Sequence, residues 1–191
     1  YCTPILQLNR ILPKSINPLC PTTQCWGHSL TSIDSTETLR VVLQNPNGLK
    51  LQSDPEEFAL SMHTCYTIGA GIVSLTETNI NWNQPYQIRR VLKVTRDLWE
   101  TTAIQTSQHP EAFRTQNQRG GTMQLLTDRW VSRLQAKGVD PYGLGRWSYM
   151  ELKGQGNKSV VAITAYRPCK GTAEGNGDKT VYMQHFRTLL Y

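Results

Sequence analysis

The stretch "TLRVVLQNPNGLKLQSDPEEFALSMHTCYTIGAGIVSLTETN", residues 38–79, changes hydrophobic period twice, and those two changes restrict the fold more than anything else in the chain. Its first part, "TLRVVLQNPNGL" (38–49), is a short β run closed by the turn signal Asn-Pro-Asn-Gly. Next, "SDPEEFALSMHTCYTIG" (53–69) offers Ser53 or Asp54 as N-cap, Pro55 in the first turn, and acids at 56 and 57. Phe58, Met62 and Cys65 then recur at helical spacing. "AGIVSLTE" (70–77) returns to a tight apolar run with β-branched residues. Strand, helix and strand in succession predict a βαβ unit, because parallel neighbours need a long crossover.

Beyond this unit, "NQPYQIRRVLKVTRDLWETTAIQTS" (83–107) predicts a second helix, with Ile88, Val91, Leu92, Thr95 and Leu98 on one face. Arg89, Arg90, Lys93 and Arg96 make part of it basic. "GGTMQLLTDRWVSRL" (120–134) predicts a strand in one or two pieces. "RWSYMELKG" (146–154) and "KSVVAITAYRPC" (158–169) predict a hairpin around Gln155-Gly156-Asn157. A Gly-rich loop (170–178) precedes a helix expected from Lys179. The whole reads as a layered α/β domain of α+β type, its mixed sheet containing antiparallel pairs. Residues 1–37, with prolines at 4, 13, 18 and 21 and no sustained period, read as a loosely ordered tail or linker before a domain at 38–191. The chain opens on Tyr1 and stops within the expected last helix, so a piece of a longer product is expected.

Lys and Arg outnumber Asp and Glu by 20 to 14, a formal charge of +6, which favours polyanions such as nucleic acid over acidic proteins. The five cysteines are scattered and odd in number, which argues against a disulfide framework and for a reducing, intracellular compartment, nuclear or cytoplasmic. Cys20, Cys25 and His28 lie close together but fit no zinc-site spacing. No run of 18 apolar residues or signal peptide is seen, so no membrane partner is expected.

Three apolar runs end alike, each in a polar group at the C-terminal tip: Asn45 and Asn47 after "RVVLQ", Glu77 after "GIVSLT", and Tyr166 after "VVAITA". Strands packed side by side would gather these tips at one sheet edge. A carboxylate at the lip of a core is costly unless paired. An edge rich in amide and carboxylate oxygens suits a hard cation such as Mg²⁺, which keeps waters and takes few protein ligands. Simpler roles exist for each residue alone. Asn45 and Asn47 can build a turn, Glu77 can pair with an arginine, and Tyr166 can pack.

The motifs "LQNPNGL", "LTETN" and "ITAYRP", in this order, together with "GGTMQLL" and "GRWSYMEL", resemble the endonuclease/exonuclease/phosphatase superfamily over roughly residues 38–191. Abasic-site DNA endonucleases and non-LTR retrotransposon endonuclease domains belong to it. The resemblance implies a four-layered α/β sandwich, two sheets inside and helices outside. It implies Mg²⁺ or Mn²⁺ held by Glu77 and Asn45. It makes Asn45, Glu77 and Tyr166 the catalytic set, with Asn47, Asn79 and Arg167 against substrate. It implies DNA as partner and a reverse transcriptase downstream.

The resemblance stops at the first half. No Asp-x-Asn and no Asp-His pair occurs, and Asp178 reads as an N-cap. The expectation is therefore an incomplete fragment of a metal-dependent DNA endonuclease, inactive and marginally stable alone, with one sheet face left apolar and exposed. Two alternatives stand beside it: a non-catalytic remnant that binds nucleic acid weakly, and a relative acting on another phosphoester.

Overall fold

The computed structural model describes residues 38–108, 120–141 and 145–166. The Pro-bearing stretch 1–37, the Gly-rich loop, the helix expected from Lys179, and Arg114, Arg119 and Arg167 lie outside the described residues.

The βαβ unit forms as its period predicts. Strand β1 (Val41–Gln44) pairs in parallel with β2 (Ile72–Thr76), Val41 opposite Ile72. Between them runs α1 (Pro55–Thr67). Of the two candidate caps, Asp54 serves: its Oδ1 accepts from the Glu57 N–H at 3.2 Å, a bond of the kind worth about 1 kcal/mol. Phe58, Met62 and Cys65 are buried against the sheet. The helix stops at Gly69, whose φ of 66° reverses the chain. Arg40 Nη1 donates to the Ile68 carbonyl at 2.7 Å, so the helix end gains a cation that its own last turn lacks.

The second helix, α2 (Pro85–Arg96), is shorter than its sequence pattern suggests. Residues expected to continue it instead form strand β3 (Thr102–Ser107). Two tertiary contacts override the helical pattern. Trp99 is buried and meets the Tyr66 ring edge-on, centroids 5.8 Å apart, which turns the chain there. The Asp128 carboxylate accepts from the N–H groups of Glu100 and Thr101 at 2.9 and 3.4 Å, leaving the threonine-rich run 101–106 to pair as a strand. The segment 120–134, expected as one or two strands, holds one strand, β4 (Thr122–Thr127), and a 3₁₀ turn (Asp128–Arg133); β5 (Leu134–Val139), which the sequence reading did not anticipate, follows. The hairpin of β6 (Trp147–Lys153) and β7 (Ser159–Ala165) forms as predicted.

Seven strands thus make two sheets among the described residues, ordered β1-β2-β4-β3 and β5-β6-β7. Only β1 and β2 are parallel in the first, so that sheet is mixed. Strand alternation gives it two different faces. Val73, Leu75, Met123 and Leu125 pack with α1 and α2 residues into the larger core. The opposite face meets the second sheet and changes character along the strands. Its lowest rung is Ile72, Leu126 and Ala103, clustered with Met150 and Leu152. Fully burying one such side chain contributes about 1.5–3 kcal/mol. The middle rung is Ser74, Gln124 and Gln105, and the top is Thr76, Thr122 and Ser107. Across the seam the Thr122 and Ser148 hydroxyls lie 2.9 Å apart, and Gln124 Nε2 donates to the Ala162 carbonyl at 3.0 Å.

The sheets are bare at one side. Val41 and Leu43 on β1 are 56% and 69% exposed, and Val160 and Val161 on β7 are 53% and 49% exposed. At the lower end the packing is tight instead. A Cβ added to Gly71 would sit 2.6 Å from Trp130 Cδ1 and 2.7 Å from Leu39 Cδ1. Gly71→Ala is therefore expected to lower stability by about 1–3 kcal/mol in urea unfolding. A loss too small to measure would mean that Trp130 swings aside without penalty.

Candidate functional site

Parallel pairing sets the C-terminal ends of β1 and β2 side by side, and the chain beyond them stays bonded. The Gly48 N–H donates to the Glu77 carbonyl and the Leu49 N–H to that of Thr78, both at 2.8 Å. From the opposite flank, Thr78 N–H donates to Gly121 at 3.2 Å and Asn79 N–H to Gly120 at 2.8 Å. Gly120 N–H returns a bond to Asn79 Oδ1, also 2.8 Å. Residues 77–79 are thus clamped between the loop after β1 and the chain entering β4.

Close approach explains the glycines of this clamp. A Cβ on Gly121 would lie 2.9 Å from Thr78 Oγ1 and 3.1 Å from the Ser107 carbonyl, and Gly121 has φ 83°. Thr78 is fully buried, and its Oγ1 accepts from Trp82 Nε1 at 3.1 Å. Three of the clamp's non-glycine residues have left-handed backbone: Asn47 (φ 50°), Glu77 (φ 49°) and Asn79 (φ 53°). Asparagine tolerates this region, whereas glutamate is uncommon there.

The sequence-predicted residues fall as follows. Asn45, Asn47, Glu77 and Asn79 all belong to the clamp. Asn45 is exposed, and its Oδ1 accepts from the Asn47 N–H at 2.9 Å, closing the expected turn. The Glu77 side chain is half-buried and takes no hydrogen bond or ion pair among the described residues. The Asn79 carboxamide is engaged by Gly120 on one side, and its Nδ2 lies against Gly48, where a Cβ would approach to 3.2 Å. Tyr166 does not stand beside the others in one sheet, as side-by-side packing of three strands would require. It follows β7 in the second sheet. It still reaches the same end: a Cβ on Gly120 would lie 3.4 Å from its Cε1, and its N–H donates to the Arg146 carbonyl at 2.8 Å.

Sequence reasoning passed over the polar floor below the clamp, formed by Thr122, Gln124 and Ser148, all fully buried. The signal was available as alternating Thr122, Gln124 and Leu126 in "TMQLL". Basic residues lie on the loop after β1 and along α2. Lys50 pairs with Glu57 at 2.8 Å, and this hydrogen bond raises its pKa above the usual lysine value. Arg90 donates to Gln52 Oε1 at 3.3 Å and lies 5.0 Å over the Tyr86 ring. Arg89, Lys93 and Arg96 are exposed at helical spacing along α2. Among the described residues, no three His, Cys, Asp or Glu side chains cluster as a metal site, and Glu77 is the one carboxylate of the clamp. Among them, too, no helix is long and apolar enough to cross a membrane.

No protein-family model and no curated protein sequence matches the chain. Solved structures do. The AP endonuclease LMAP from Leishmania major superposes with a TM-score of 0.56 at 15% identity, covering 78% of this chain and 47% of that one. An endonuclease/exonuclease/phosphatase family protein from Leptotrichia buccalis gives 0.50 at 8% identity, covering 77% and 63%. The endonuclease domain of TRAS1, a telomere-specific non-LTR retrotransposon, gives a weaker 0.44 at 11% identity, covering 80% and 52%. This chain spans about half the length of the first of these structures. At such identities the likeness concerns the fold alone: the chain has an endonuclease/exonuclease/phosphatase-like α/β fold.

Proposed function

We propose that this chain carries part of a metal-dependent phosphodiesterase site of the DNA endonuclease type found in retroelements. The observation that supports this reading best is Glu77, a half-buried carboxylate in a left-handed conformation, unpartnered among the described residues at the end of a core strand. Backbone strain that persists under a clamp points to a functional demand on that residue. The donor set is small, but Mg²⁺ needs only one or two carboxylates and completes its shell with water and phosphate oxygens. Glu77 and the Asn45 carboxamide oxygen would hold Mg²⁺ or Mn²⁺. Such a cation, when bound, neutralises the phosphate oxygens during in-line attack. The Tyr166 phenol would donate a hydrogen bond to the phosphate, and the exposed Asn47 carboxamide would contact the substrate backbone. Asn79 would keep Glu77 in place through its bond to Gly120.

The reading includes an incomplete site. Support comes from the apolar strands β1 and β7, both bare at the same side of the sandwich, and from the half-length match to LMAP. A complementary portion would cover these strands and bring the base that activates water. A nuclear or cytoplasmic setting and an attached reverse transcriptase rest on the cysteine usage and the sequence motifs. A non-catalytic nucleic-acid binder is the second reading, favoured by the lone carboxylate of the clamp.

Mn²⁺ titration followed by electron paramagnetic resonance tests the assignment. Losing an outer-shell partner alone weakens metal affinity about 10–100-fold, so Glu77→Gln should weaken Mn²⁺ binding at least as much. Equal binding by the two proteins would remove Glu77 from the site. Glu77→Gly should leave the urea midpoint unchanged or higher. Relief of the left-handed penalty, roughly 1–2 kcal/mol, meets an added chain-entropy cost of about 0.4–1 kcal/mol. A lower midpoint would make Glu77 a structural residue. Supercoiled plasmid incubated with the chain and Mg²⁺ should remain unnicked; nicking that Glu77→Ala abolishes would show a working site without a complement. Finally, the α2 stripe should give salt-dependent DNA binding. Replacing Arg89, Lys93 and Arg96 together by Gln should flatten the log–log salt slope by about three, one per lost phosphate contact. An unchanged slope would leave them a solvated face.

A further inference from the structure

We propose that Trp82 is a positioning residue for the Glu77 carboxylate: its indole N–H, acting through the buried Thr78 hydroxyl, holds Glu77 in its left-handed conformation. The inference rests on the metal-dependent reading of Glu77. It adds a residue that belongs neither to the strand ends nor to the backbone bonds of the clamp.

Glu77 has φ 49°. To relax, it must turn the peptide that joins it to Thr78, and Thr78 is where a side chain resists that turn. Thr78 is fully buried. Its hydroxyl fills space that only a glycine at 121 leaves open, since a Cβ there would lie 2.9 Å from Thr78 Oγ1. Trp82 Nε1 lies 3.8 Å from the same point and donates to Thr78 Oγ1 at 3.1 Å. Hydroxyl, indole edge and Gly121 thus meet in one place, one residue beyond Glu77. A swing of Thr78 would break the indole bond and strand two buried polar groups, which is costly.

Trp82 can resist because it is itself anchored. It is 6% exposed and belongs to the larger core with Val73, Leu75 and Met123. Its backbone lies in a turn where the Asn83 N–H donates to Asn81 Oδ1 at 3.1 Å and the Gln84 N–H to the Asn81 carbonyl at 3.2 Å. The helix-covered core is therefore coupled to the candidate metal ligand through one side-chain hydrogen bond. Ligand geometry is kept by supporting side chains that are locked in this way. Indole is a donor only, so replacing it by a phenyl ring removes this bond and keeps an aromatic in the core.

The test measures Mn²⁺ affinity by electron paramagnetic resonance and the urea midpoint side by side on the full chain. Trp82→Phe and Thr78→Val each remove one partner, and each should weaken Mn²⁺ binding about tenfold. Combined, they should weaken it no further than either alone, because both act through one bond. The midpoint should behave differently. Each single change lowers it by leaving a buried polar group unpaired, and the double variant recovers part of that loss because neither partner remains. Affinity that recovers together with the midpoint would make the pair structural only and overturn the proposal. Wild-type affinity in both single variants would overturn it as well, and Glu77 would keep its role. If Glu77→Gln binds Mn²⁺ as the wild type does, the metal reading and the positioning role fall together.

Discussion

The backbone bonds on both sides of Glu77–Asn79 are the constraint on which the rest of the molecule turns. From the β1 side, Gly48 and Leu49 donate to carbonyls 77 and 78; from the β4 side, carbonyls 120 and 121 accept from residues 78 and 79. A segment bonded on both flanks cannot relax its dihedrals independently. That is how a glutamate persists at φ 49°. Gly48 and Gly121 follow from the same requirement, because the chain segments approach closely there, and Gly120 from its φ of 74°.

Beneath this clamp the interior has a direction. Between the two sheets the lowest rung is apolar, and the two rungs above it carry hydroxyl and amide groups. Polar groups so buried contribute only when bonded. The Thr122–Ser148 contact and the Gln124–Ala162 bond provide that, while Gln124 Oε1 and Thr164 Oγ1 remain unpartnered. On this inter-sheet face the end nearest Glu77 is the less apolar, while the larger core on the helix-covered face keeps Leu75, Ile80 and Trp82 close to it.

The parts of this architecture legible in the sequence are those decided locally. The βαβ unit, the Asp54 cap and the β6–β7 hairpin all follow from period, capping and turn residues within short windows. So does the Asn-Pro-Asn-Gly turn. What was not legible depends on distant partners. Residues 102–107 carry enough helical pattern to extend α2, and Asp128 and Trp99 decide against it. The same holds for the candidate site. Strand-end polarity marked Asn45, Glu77 and Tyr166, but nothing in one sequence tells that Tyr166 would arrive from a second sheet over Gly120.

The sheet order also fixes when the site can come into existence. Strand β2 sits between β1, with which it closes a local βαβ loop, and β4, about fifty residues further along the chain. Local closures precede distant ones during folding, since loop entropy is lost before non-local contacts reward it. The βαβ unit is therefore the natural nucleus, and the bonds from Asn79 to Gly120 belong to a later stage. Until β4 docks, Glu77 is held from one side only and is free to leave its strained conformation. Fixing of the Glu77 backbone and completion of the first sheet are in that sense a single event: this edge is a late seam of the sheet to close.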